Sequence, residues 1–117
     1  VNNDFWDFLD RLIFDKRIVV DRTRGTPHPA HPEIIYPLDY GYLEGTRSGD
    51  GEEIDVWMGA SPIRRLSGLI LTCDARKCDI EIKLLLGCTN QETQTILAFH
   101  NAGEMRAIGY PRPEENT

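Results

Sequence analysis

Phe5, Phe8, Leu9, Leu12 and Ile13 recur at i, i+3, i+4, i+7 and i+8, with Asp7, Asp10 and Arg11 outside the stripe. That is the period of an amphipathic helix, which Asn3 or Asp4 can cap and which reads as a lid on a sheet. Ile18-Val19-Val20 is a β-branched run and the first predicted strand. Tyr36 to Thr46 is aromatic-rich and strand-like up to Gly45, and Ser48-Gly49-Asp50-Gly51 is a turn. Ile54, Val56 and Met58 then alternate with Glu53, Asp55 and Trp57, so one face is apolar and the other carries Asp55. Leu69 to Cys73 and Ile80 to Leu86 predict two further strands, joined by a hairpin loop between Asp74 and Asp79. Thr89-Asn90-Gln91-Glu92 is a capping box opening a second helix, which puts Ile96 and Phe99 on one side. Gly103 stops it, and Met105 to Tyr110 predicts an edge strand before Pro111. The sum is α+β: five or six short, mainly antiparallel strands with a helix near each end. A small closed or nearly closed β-barrel of the OB-like kind would hide the strand edges.

The 117 residues fit one domain, 1–117, with no repeat or dividing linker. Thirteen basic against nineteen acidic residues give a net charge of −6, which argues against a nucleic-acid partner. No apolar run is long enough for a membrane span. Asp4, Asp7, Asp10 and Asp15 interrupt what would be the apolar region of a signal peptide, so the cytoplasm is the expected compartment. Cys73, Cys78 and Cys88 match no common zinc spacing and are expected to be buried, reduced thiols.

Two stretches bear on chemistry. Between Asp21 and Pro32, three prolines stiffen a loop that bears Arg22 and Arg24 and carries His28 and His31 outward, as a surface connector or as a ligand grip. Between Asp50 and Glu81 lie seven carboxylates: Asp50, Glu52, Glu53, Asp55, Asp74, Asp79 and Glu81. They could be a solvated face. Asp74 and Asp79, however, stand at the two ends of one hairpin loop. Asp50 and Asp55 flank the start of a neighbouring strand. If those strands are adjacent, the carboxylates converge and would suit Mg²⁺ or Mn²⁺ rather than zinc.

Tyr36-Pro37-Leu38-Asp39-Tyr40-Gly41-Tyr42 followed by Asp50-Gly51-Glu52-Glu53-Ile54-Asp55-Val56 resembles the soluble family I inorganic pyrophosphatases. Their Asp-x-Asp-Pro-x-Asp-Val signature begins ten residues beyond a tyrosine, as Asp50 does beyond Tyr40. Asp74 to Asp79 is similar to the family's second aspartate cluster, and Asp21 to an acidic residue on its early strand. The resemblance spans residues 18 to 86. It implies a Mg²⁺-dependent hydrolase of inorganic pyrophosphate, with Mn²⁺ as an alternative and a small phosphate compound as substrate. The family often forms homo-oligomers. Carried over, Asp50, Asp55, Asp74 and Asp79 would ligate metal, and Glu52 with Asp55 would orient the attacking water. Asp21, Arg22, Arg24, His28, Tyr40 and Lys83 would hold phosphate. The pattern departs at Glu52 for an aspartate, Glu53 for a proline and Ala75 for a glutamate, and the late tyrosine–lysine phosphate pair has no match. Two other readings stand beside the enzyme: a metal- and phosphate-binding module without turnover, and an interaction domain with a solvated acidic face.

Overall fold

The computed structural model describes residues 4–114, so Asn3 as a helix cap lies outside the described residues. The elements in chain order are α1 (Asp4–Ile13), β1 (Ile18–Arg22), β2 (Asp39–Leu43), β3 (Ile54–Met58), β4 (Leu66–Asp74), β5 (Asp79–Leu86), α2 (Asn90–His100) and β6 (Met105–Pro111). They form one six-stranded sheet in the order β1-β2-β3-β5-β4-β6. All neighbours are antiparallel except β3 and β5. The expected barrel does not close: β1 and β6 are the two ends of an open sheet. Closure is not needed here, because the two helices cover opposite faces.

Strand alternation explains that arrangement. Val56, Met58, Leu84 and Leu86 join Leu43, Leu66 and Leu69 in one buried cluster, over which Trp6, Leu9 and Ile13 of α1 pack. Trp57, Ile70 and Leu85 point the other way and meet Ile96 of α2 with Tyr36 and Leu38. The run Leu84-Leu85-Leu86 is buried throughout because β5 is an interior strand covered on both faces. Gly41 lets β1 approach β2, since a Cβ there would overlap the Val19 carbonyl.

Two expectations are corrected. The stripe of α1 that packs on the core is the partly buried Trp6, Leu9 and Ile13, whereas Phe5, Phe8 and Leu12 are exposed. Arg112, just past β6, sets that rotation: it forks onto Asp10 at 2.7 and 2.8 Å and lies over the Trp6 ring at 6.0 Å. Cys73 and Cys78 are exposed and Cys88 is half-buried. Cys73 shares the α1-side face with Ile80, beyond the reach of α1, and Cys78 sits at a left-handed hairpin position, φ 59°. No helix among the described residues is long and apolar enough to cross a membrane.

The capping box forms as expected, and its glutamate reaches further. Glu92 accepts from the Thr89 amide through Oε1 and from the Ala60 amide through Oε2, both at 2.9 Å, so it ties α2 to the loop after β3. The Thr89 and Ala60 amides hold the Glu92 carboxyl below its ordinary value of 4.5. Glu92→Ala removes both bonds, and urea unfolding at neutral pH should show a loss of about 1–2 kcal/mol. The lowered pKa makes this contribution complete above pH 4.5 and lost as pH falls through the folded value, so wild type and variant should converge in acid.

Candidate functional site

Lys83 is the anomaly of β5: an ammonium in an otherwise apolar run, its side chain only 5% exposed. A charge so placed needs partners. Lys83 Nζ donates to Tyr40 Oη at 2.8 Å, Asp55 Oδ2 at 3.0 Å and Glu81 Oε2 at 3.3 Å, which uses all three of its N–H bonds. The Tyr40 hydroxyl in turn donates to Asp55 Oδ2 at 2.7 Å. Burial and the neighbouring Asp55 carboxylate push the Tyr40 phenol far above its ordinary pKa, so it stays protonated. Pairing of β2 with β3, and of β3 with β5, brings these residues onto one face.

An aromatic wall adjoins this network. Trp57 is fully buried, with Tyr40 at 4.7 Å and Phe99 at 5.4 Å between ring centroids. Its indole N–H donates to His100 Nε2 at 3.0 Å, which requires a neutral imidazole protonated on Nδ1. Burial and then the Lys83 charge hold the His100 pKa down to about 4, against a smaller opposing pull from Asp55. Asn101, capping α2, exchanges two hydrogen bonds with the Ala107 backbone and so pins this end of the helix to β6. From the proline-rich loop, His28 stacks on Tyr36, rings 7° apart. The loop therefore turns this histidine inward, not outward.

His28, Tyr36, Tyr40, Asp55, Trp57 and Lys83 line an open cleft of about 570 Å³, bordered by the β4–β5 hairpin and the α2–β6 loop. Of the residues expected from the sequence, Asp55, Asp74, His28, Tyr40 and Lys83 line it. Asp79 faces Asp74 across the hairpin foot, in register. Asp50 and Glu52 lie in the exposed bend before β3, where Asp50 Oδ1 accepts from the Glu52 amide at 2.9 Å. Asp21 occupies the bulge of β1, Arg22 donates to the Asp21 carbonyl, and the Arg24 amide donates to Asp39. None of these last five lines the cleft. Sequence reasoning missed Phe99 and His100 as site residues. The signal for His100 was its position at the end of the helix whose capping box was read correctly.

The carboxylates do not fit a resident metal. Among the described residues no three of His, Cys, Asp and Glu come close enough to hold one. Asp55 Oδ2 is taken by Lys83 and Tyr40, and Asp74 Oδ1 caps the amides of Arg76 and Lys77 at 3.0 Å each.

No family model matches the chain, and no curated protein matches it. Solved structures do. An inorganic pyrophosphatase from Neisseria gonorrhoeae superposes with a TM-score of 0.59 at 17% identity, covering 76% of this chain and 77% of that one. An inorganic phosphatase from Anaplasma phagocytophilum gives 0.57 at 14%, covering 80% and 81%. The inorganic pyrophosphatase of Helicobacter pylori gives 0.57 at 13%, covering 84% and 82%. The chain has the inorganic pyrophosphatase fold. Within that fold its cleft is organised around Lys83 and the aromatic wall.

Two measurements check this geometry. Lys83→Met leaves Asp55 and Glu81 facing each other without a counter-charge, and should cost about 1–3 kcal/mol. Adding Asp55→Asn should restore part of that loss in a double-mutant cycle. For His100, the unfolded chain takes up a proton near pH 6.5 and the folded chain only near 4. The unfolded state therefore binds more protons between those values, and stability rises with pH across that window and is complete above it. His100→Gln should flatten this limb in urea midpoints measured from pH 4.5 to 7.

Proposed function

We propose that the cleft binds a small phosphate compound, and that binding rather than metal-dependent turnover is the function its geometry serves best. The observation that carries this reading is the pair Arg76 and Lys77. Both line the rim, and among the described residues neither side chain is engaged by a hydrogen bond or ion pair. The aspartate that caps their amides fixes the turn that presents them. Lys83 cannot take this part, because its three donors are already used. The small phosphate partner fits the acidic chain as well: a rim of two cations grips one phosphate, but it offers no extended basic surface for a nucleic acid.

The test is calorimetric titration of the protein with inorganic phosphate and pyrophosphate, with and without Mg²⁺. Replacing both Arg76 and Lys77 by alanine should weaken binding by roughly tenfold to a hundredfold, the worth of one or two charge-assisted contacts. Glu52→Gln and Arg24→Ala should leave it unchanged. Equal affinity in the double variant would remove the grip from this hairpin.

Mg²⁺- or Mn²⁺-dependent hydrolysis of pyrophosphate is the second reading. The fold likeness and the registered pair Asp74 and Asp79 favour it. Phosphate release from pyrophosphate that is metal-dependent and lost in Asp74→Asn would establish it over binding alone.

A further inference from the structure

The cleft contains more than a phosphate needs. Its deep end presents acceptors: Asp55 Oδ1 and Glu81 Oε1 have no partner among the described residues, while Lys83 holds the other oxygen of each carboxylate in place. A phosphate at neutral pH brings almost only acceptor oxygens and would face these carboxylates in repulsion. Hydroxyl or amino groups would satisfy them. Beside them stands the aromatic wall, and Ile34, about a third exposed, lines the same cleft. Phe99, half-buried, has its ring 5.2 Å from Tyr36, and the His28 ring lies nearly parallel to that of Tyr36. A volume of about 570 Å³ lies in the range of pockets that enclose organic ligands, well above what one or two phosphate groups fill.

Rim cations, inner acceptors and a planar apolar wall are three complementary surfaces, and they specify three parts of one ligand. Resting on the phosphate reading above, we infer that the ligand is a nucleoside phosphate: its phosphate on Arg76 and Lys77, its sugar hydroxyls on Asp55 and Glu81, and its base between Ile34 and Phe99. Base–aromatic contact tolerates any base, so the subsite selects a nucleotide over inorganic phosphate without fixing which nucleotide.

The experiment is calorimetric titration of the full chain with adenosine monophosphate, ribose 5-phosphate, adenosine and inorganic phosphate. Adenosine monophosphate should bind at least tenfold tighter than ribose 5-phosphate, and ribose 5-phosphate tighter than phosphate. Phe99→Leu and Ile34→Ala should each reduce the preference for adenosine monophosphate over ribose 5-phosphate several-fold and leave phosphate affinity unchanged. Ile34 lies at the surface, so its variant tests the subsite even if the Phe99 variant is unstable. Equal affinities for adenosine monophosphate, ribose 5-phosphate and phosphate, insensitive to both variants, overturn the base and sugar subsites while the phosphate reading stands. Adenosine binding as tightly as its monophosphate overturns the nucleotide assignment through its phosphate end. If none of the four binds, both readings fall.

Discussion

Burying an ammonium in the middle of an interior β-strand is the constraint from which the site follows. The neighbours Ile82, Leu84, Leu85 and Leu86 are chosen for an apolar sheet, and a lysine among them is tolerated only with its charge matched and its three protons accepted. Tyr40 and Asp55 must then come from β2 and β3, and Glu81 from β5 itself, two residues back on the same face. These contacts tie together three adjacent interior strands, β2, β3 and β5. They also aim two carboxylates into the cleft with one oxygen each to spare. Two carboxylates against one ammonium leave a local surplus of negative charge, which a ligand must answer with donors or a cation.

The aromatic side of the cleft depends on a second buried polar contact. Trp57 has no exposure, so its indole N–H needs an acceptor within the protein, and neutral His100 supplies it. That contact works only if the end of α2 is held in place. The Asn101–Ala107 bonds hold the C-terminal end and Glu92 with Ala60 the N-terminal end. A helix of weak amphipathicity is thus positioned by hydrogen bonds at its ends as much as by Ile96 in the core.

Period, composition and capping chemistry are local, and they were legible: β3 and β5 follow from alternation, β1, β2 and β4 from β-branched, aromatic and apolar runs, and α2 from the Thr89–Glu92 box, although β2 is shorter than its aromatic stretch. What a sequence does not carry is which strands are neighbours. The parallel pairing of β3 with β5 puts Lys83 beside Asp55, and from the pattern alone those two residues merely lie 28 positions apart. The same gap explains the barrel: covering both sheet faces with helices and wrapping the sheet on itself hide apolar strands equally well, and alternation does not distinguish them. In α1, two stripes compete on one helix. The choice of Trp6, Leu9 and Ile13 is made by Arg112, a residue 102 positions from its partner Asp10.

Sharing the inorganic pyrophosphatase fold constrains the scaffold more than the chemistry. Asp74 and Asp79 face each other across the β4–β5 hairpin, and Asp55 lies on β3. Yet Asp55 is bound to a lysine and a tyrosine, and Asp74 to two backbone amides. Four carboxylates line the cleft, Asp55, Asp74, Glu81 and Glu104, against the three cations Lys83, Arg76 and Lys77, one of which is fully engaged. A bare tetra-anion gains little from that balance. A ligand with one phosphate for the two free cations and neutral donors for the inner oxygens gains from every wall it touches. Charge arithmetic, applied residue by residue, therefore separates what the cleft can hold from what its fold alone would suggest.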